Sequence, residues 1–175
     1  MRSNVFLIGP MAGGKTTIGR QLAKRLGLRF VDSDHEIERR TGASISLIFD
    51  IEGETGFRER EERMIAELTA MEGIVLATGG GAILREANRK ALRKNGTVVY
   101  LRASVDSQLE RTRASKHRPL LETGDRRAAL EALMRTREPL YRQEADLIID
   151  TDKLSAGRAA RQIARKLQEL QTCKP

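Results

Sequence analysis

The residues from Gly9 to Thr16, Gly-Pro-Met-Ala-Gly-Gly-Lys-Thr, have the types and spacing most suited to chemistry. A G-x-x-x-x-G-K-T loop turns successive backbone N–H groups toward one point, where a phosphate chain can sit. Lys15 adds a point charge for the β- and γ-phosphates, and the Thr16 hydroxyl is placed to hold Mg²⁺. The ligand this predicts is a nucleoside triphosphate. Four other groups could act beside it. Asp32-Ser33-Asp34 carries two carboxylates that point the same way in an extended segment. Beside a triphosphate, a carboxylate can organise Mg²⁺ or accept a proton from an attacking hydroxyl. One residue of the three is also expected to cap a helix. Arg58 lies in a charge run and is expected at a helix's first turn, where a cation opposes the dipole. An anionic ligand is one reason for it to be there, with Glu61 three residues on to hold it. Thr78-Gly79-Gly80-Gly81 removes side chains over three positions, which permits positive φ and lets a ligand approach the backbone. Arg118 lies in an aperiodic loop, about 114–125, of the kind that covers active sites. His35 and His117 have no partner pattern and read as incidental, and Arg111, Arg135, Arg137 and Arg142 are not separable by spacing.

The elements that must position these groups follow from periodicity. Asn4 to Ile8 is a short apolar run suited to a buried strand, and Thr16 to Arg25 has helical spacing with Ile18, Leu22 and Leu26 on one face. Gly27 suits the left-handed residue that ends that helix. Further strands are expected at 28–31, 74–77, 97–101 and 147–150. Helices are expected after Ser33 to about Arg40, from Ser46 to a break at Gly53 and Gly56, and over 57–71, 86–94 and 105–113. Two more are expected over 126–141, ended or kinked by Pro139, and after Ser155. Five apolar strands alternating with helices predict an α/β fold, a parallel sheet covered on both faces. The P-loop, the aspartates and the triple glycine then all fall at carboxyl ends of strands, where ligands gather in such sheets.

Composition narrows the class. At 175 residues with 3% aromatics, the chain is expected to be one domain with a core of Leu, Ile, Val and Ala. Charged residues interrupt every apolar run, so no membrane span is expected. The first strand begins too early for a signal peptide, and Cys173 is the only cysteine, so a reducing, cytoplasmic setting is expected. The net charge of +8 suits either a nucleic-acid surface or the steering of anionic substrates. The basic residues are mixed with acidic ones and lack aromatic neighbours for base stacking, so small anions are the expected partners.

Taken together and in this order, the motifs resemble those of the shikimate kinase family along nearly the whole chain. The resemblance rests on 9–17 continuing into Ile18-Gly19, on Asp32-Ser33-Asp34, Phe57-Arg58 with Glu61, Thr78 to Gly81, Arg118-Pro119-Leu120-Leu121 and Arg137-Glu138-Pro139-Leu140-Tyr141. It implies a P-loop kinase fold like that of nucleoside monophosphate kinases, with a five-stranded parallel sheet in order 2-3-1-4-5. A lid at about 114–125 and an acceptor-binding helical part at about 34–62 complete it. It implies transfer of the ATP γ-phosphoryl to the 3-hydroxyl of shikimate, with Mg²⁺, by a monomer that binds no nucleic acid. Ala12, Gly13, Gly14, Lys15, Thr16 and Thr17 would bind ATP, with Arg111 near adenine and Arg118 over the phosphates. Asp34 would bind shikimate hydroxyls and act as base. Arg58 and Arg137 would hold the carboxylate, Gly79, Gly80 and Gly81 would line the pocket, and Phe49 and Phe57 would form its apolar wall. Thr16 would ligate Mg²⁺ directly and Asp32 would reach it through water.

One departure stands out. The family's loop usually reads Gly-Ala-Gly-Lys where this chain has Ala12-Gly13-Gly14-Lys15, so Ala12 is strained if its position needs positive φ. The segment 152–157 matches poorly and yields no site residue. Two other readings compete: a gluconate-type kinase of the same fold, and a non-catalytic basic protein that binds nucleotide or RNA. The arginine pair suited to a carboxylate opposes the first, and the scattered charge opposes the second.

Overall fold

A computed structural model of the chain describes residues 4–113 and 124–172. Strands β1 (Asn4–Ile8), β2 (Arg29–Asp32), β3 (Ile74–Ala77), β4 (Gly96–Arg102) and β5 (Leu147–Asp150) form one sheet in order β2-β3-β1-β4-β5. Every pairing is parallel. Helices α1 (Lys15–Leu26), α2 (Ser33–Thr41), α3 (Ile45–Thr69), α4 (Glu86–Asn95), α5 (Val105–Thr112), α6 (Arg126–Glu144) and α7 (Ala156–Thr172) cover its two faces. The expected strand order is the observed one.

The central strands are apolar along most of their length because alternate side chains enter two different cores. Phe6, Ile8, Leu76, Val98 and Tyr100 face one, packed by Ile37 of α2, Ile65 of α3, Leu92 of α4 and Tyr141 of α6. Val5, Leu7, Val75, Val99 and Leu101 face the other, closed by Ile18 and Leu22 of α1 and Ala160 and Ile163 of α7. Fully burying one such aliphatic or aromatic side chain contributes about 1.5–3 kcal/mol. The sheet is therefore a rigid base for the loops at its carboxyl edge.

Two local expectations change. Only Gly53 breaks α3, with φ 69° and ψ −178°, while Gly56 stays helical. Arg58 therefore sits beyond this kink, preceded by a full turn from Glu54 to Phe57, and not in a first turn. Pro139 does not end α6, which runs on to Glu144. Proline forfeits one hydrogen bond there, but tertiary contacts downstream hold the helix. Tyr141 hydrogen-bonds Gly80, and buried Glu144 pairs with Arg93. Gly96 both ends α4, as its C-terminal cap, and opens β4 in extended conformation. Strand and helix ends elsewhere shift by one or two residues.

Candidate active site

The carboxyl ends of the adjacent strands β2, β3 and β1 carry the site. After β1 the chain enters the P-loop. Gly9 and Gly14 have φ of 145° and 82°, and Ala12, at 57°, is the one non-glycine with positive φ among the described residues. The suspected strain at Ala12 is thus present. Gly13 takes up none of it, and a Cβ there would lie 3.0 Å from the Pro10 carbonyl oxygen and 3.3 Å from that of Leu101. Helix α1 opens without a side-chain cap, so its first N–H groups face the loop with the positive end of the dipole behind them. Buried Lys15 donates from Nζ to the carbonyls of Gly9 at 2.8 Å and Pro10 at 2.7 Å. Loop and helix start line a cavity of about 270 Å³.

Asp32 ends β2 and joins the halves of the site. Its Oδ2 accepts from the Thr16 hydroxyl at 2.7 Å. Its Oδ1 accepts from the backbone N–H groups of Asp34 at 3.1 Å and His35 at 3.2 Å, capping α2. The Thr16 proton is directed at Asp32, so the Thr16 oxygen keeps lone pairs for a cation. Among the described residues no cluster of three His, Cys, Asp or Glu forms a metal cage. A hydroxyl and one carboxylate beside a phosphate loop nevertheless fit Mg²⁺, which keeps waters and takes phosphate oxygens as ligands.

A second cavity, of about 660 Å³, adjoins the first, and the two share Thr16, Asp32, Asp34, Gly79 and Gly80. Its walls carry Arg58 from α3 and Arg137 from α6, both buried, with Phe49 and Phe57. Those two rings pack at 4.8 Å between centroids. Arg58 donates from Nη1 to Oε1 of fully buried Glu61 at 2.8 Å and from Nη2 to Glu54 at 3.3 Å. Among the described residues Arg137 has no carboxylate within ion-pair distance, while Arg142 pairs with Glu138 and, with Arg135, lines a separate groove. The structure thereby separates the arginines that spacing could not.

The glycines serve space, not positive φ, since none of the three adopts it. A Cβ on Gly79 would sit 2.7 Å from Glu61 Oε2 and 2.8 Å from Asp34 Oδ1. On Gly81 it would meet the Arg58 guanidinium at 2.2 Å, and on Gly80 it would touch Arg137 Nη1 at 3.4 Å. Each missing side chain admits a charged group. The backbone of the turn is largely engaged. Gly79 N–H donates to buried Ser33, and the carbonyls of Gly79 and Gly81 accept from Ala82 and Leu84. The Gly80 carbonyl accepts from the Tyr141 hydroxyl. Among the described residues the N–H groups of Gly80 and Gly81 meet no protein acceptor, so both remain for a ligand.

Burial, then the nearby Glu61 and Asp32 charges, raise the Asp34 carboxyl to about 7, against the opposing pull of Lys15 and Arg58. Burial also raises Glu61, against Arg58. Six buried side-chain polar atoms lack a hydrogen-bond partner among the described residues, and three of them, Asp34 Oδ1, Arg58 Nε and Glu61 Oε2, belong to residues of this cavity. Such a cluster marks a place built for polar ligands.

Arg111 is in neither cavity lining. Arg111 donates from Nη1 to the Ala12 carbonyl at 2.9 Å and from Nη2 to the Thr151 carbonyl at 3.0 Å, tying the P-loop to the end of β5. Arg118, with most of the 114–125 loop and His117, lies outside the described residues. His35, which looked incidental, lines the larger cavity. Ser33 and Tyr141 were missed as contributors. Ser33 reads as a helix cap, and Tyr141 as the end of an amphipathic helix, so only the tertiary fold reveals them.

Comparisons with known proteins identify the family of the chain. The family model described as shikimate kinase matches residues 11–168. The shikimate kinase of Pseudomonas entomophila (strain L48) is 58% identical over 167 residues, covering 95% of this chain and 97% of that protein. That of Actinobacillus pleuropneumoniae serotype 5b (strain L20) is 54% identical over 170 residues, covering 97% and 98%. Among solved structures, shikimate kinase from Acinetobacter baumannii in complex with shikimate aligns with a TM-score of 0.95 at 48% identity, covering 97% of this chain and 95% of that one. A gluconokinase from Sinorhizobium meliloti 1021 aligns with a TM-score of 0.59 at 16% identity, a likeness of fold alone. The family model and these relatives match nearly the whole chain, and the chain belongs to the shikimate kinase family.

Proposed function

We infer that the chain transfers the γ-phosphoryl group of ATP to the 3-hydroxyl of shikimate, giving shikimate 3-phosphate and ADP. The observation that carries this reading is the junction of the two cavities at Asp34, with a phosphate loop on one side and buried Arg58 and Arg137 on the other. The roles assigned are the following. The backbone from Ala12 to Thr17 and Lys15 cradle the ATP phosphates, with Arg118 approaching them from the lid. Arg111 serves the adenine side, where stacking would use the guanidinium faces and leave its in-plane hydrogen bonds intact. Arg58 and Arg137 hold the shikimate carboxylate, Gly79, Gly80 and Gly81 admit the ring closely, and Phe57 flanks it.

Asp34 takes the proton of the 3-hydroxyl as that oxygen bonds to the γ-phosphorus and the bond to the β,γ-bridging oxygen breaks, releasing ADP. A carboxyl raised to about 7 is well matched to general-base work near neutrality. Positioning and charge neutralisation supply most of phosphoryl-transfer catalysis, so guanidiniums and a phosphate cradle suffice beside one base. Thr16 and Asp32 would hold Mg²⁺, which when bound neutralises charge on the phosphate oxygens. A monomer acting as a single domain on small anions, and not on nucleic acid, completes the reading. Among the described residues no helix is long and apolar enough to cross a membrane, and a cytoplasmic setting accords with the cysteine usage.

A coupled ADP-release assay with shikimate and gluconate in parallel tests the reading. Turnover with shikimate and not gluconate is expected. Turnover with gluconate alone would overturn it.

A further inference from the structure

Tyr141 is fully buried and lines neither cavity, yet its hydroxyl donates to the Gly80 carbonyl at 2.5 Å. That carbonyl has no other donor among the described residues. The peptide bond is planar and trans, so pinning the Gly80 C=O points the N–H of Gly81 to the opposite side of the same plane. This N–H is one of the two left for a ligand, and Gly81 lines the larger cavity but not the phosphate cavity. Tyr141 also stands one helical turn from Arg137, whose Nη1 lies over Gly80. Its ring stacks on Tyr100, with centroids 5.0 Å apart and planes at 25°. Burial pushes the Tyr141 phenol up, so it stays a donor.

We propose that Tyr141 is a positioning residue for the acceptor substrate: its hydroxyl fixes the Gly80–Gly81 peptide beneath Arg137, so that one amide and one guanidinium meet the acceptor together. The proposal rests on the acceptor reading above. Gly80 and Gly81 have no side chains to resist rotation, and among the described residues their shared peptide is held by this bond alone. Tyr100 supplies an internal control, because its hydroxyl is buried without a partner and bonds nothing in the turn.

Steady-state kinetics of Tyr141→Phe and Tyr100→Phe test the proposal. Tyr141→Phe is expected to raise the KM for shikimate about fivefold to tenfold and leave that for ATP within roughly twofold, the loss typical of one hydrogen bond. Tyr100→Phe is expected to move neither. Unchanged constants in Tyr141→Phe, or equal rises in both, would overturn the proposal, the second pattern marking a purely structural role. Should Tyr141→Phe fail to fold, the unsubstituted chain still decides. Its 2 tyrosines give two fluorine resonances after 3-fluorotyrosine labelling, assigned through Tyr100→Phe. Saturating shikimate is expected to shift the Tyr141 resonance more than that of Tyr100, and an unmoved Tyr141 resonance sinks the idea. Failure of the function reading would show separately, as no turnover of shikimate by the unsubstituted chain.

Discussion

The phosphate half and the acceptor half of this cleft hold anions by different means. The phosphate half is mostly backbone from one contiguous stretch, the P-loop and the opening of α1, with Lys15 as the single basic side chain in the cavity lining among the described residues. Most of its polarity is built into peptide geometry, and the carboxylates at its edge, Asp32 and Asp34, are shared with the other half. The acceptor half takes side chains from α2, α3 and α6 and packs two carboxylates, Asp34 and Glu61, with two guanidiniums around a glycine turn. Its charges are coupled, since the acidity of Asp34 depends on Glu61, Asp32, Lys15 and Arg58 together. A backbone site tolerates changes in its surroundings. A side-chain site in a tight space does not.

Asp34→Asn is the sharpest way to break this division. Loss of a general base is expected to lower turnover about 10²- to 10⁴-fold, while nucleotide titration should give a dissociation constant for ATP that is unchanged. Near-normal turnover would overturn the role of Asp34. In the unsubstituted chain kcat/KM should rise with pH through about 7, where this carboxyl loses its proton. Stability should run the other way. Folding raises the group from 3.8 to about 7, so the folded chain binds the proton more tightly, and stability falls as pH rises between those values. Asparagine stays neutral, so the variant should melt higher than its parent at about pH 8, and the gap should close toward about pH 4.

A change next in size should confine itself to the acceptor half. Gly81→Ala places a carbon against the Arg58 guanidinium and should displace it from the cavity wall. Losing one charge-assisted contact predicts a KM for shikimate raised about tenfold or more, with that for ATP unmoved. A parallel rise in both would mean that the two halves are mechanically coupled.

The smallest effect is expected within the P-loop itself. Exchanging Ala12 and Gly13 relieves a left-handed alanine, worth about 1–2 kcal/mol, but sets a new Cβ 3.0 Å from the Pro10 carbonyl oxygen. The two changes oppose each other, and the dissociation constant for ATP should move less than about fivefold, the factor corresponding to roughly 1 kcal/mol. A much tighter constant would show that the present loop is the poorer cradle.

The same division explains what could be read from sequence. The phosphate half was legible because its chemistry lies in adjacent residues, and the sheet order followed from the family resemblance. Asp34, Arg58 and Gly79 could be suspected one at a time, from strand ends and a misplaced cation. Their convergence depends on α3 breaking at Gly53, which the glycine signals, and on how α2 and α3 dock at the end of β3, which does not follow from local propensity. The triple glycine was read for backbone freedom, yet its purpose is room for charged side chains that arrive from elsewhere. Arg137 could not be told from Arg135 and Arg142 by spacing, because only the docking of α6 decides which of them is buried.

Asp32 has a consequence for how the two cavities are spaced. One of its oxygens holds Thr16 at the opening of α1, and the other caps α2, which begins just before Asp34. The starts of two helices are thus tied to a single carboxylate at the end of β2. Parting them requires breaking a bond to that carboxylate, so Thr16 and Asp34 keep their spacing together.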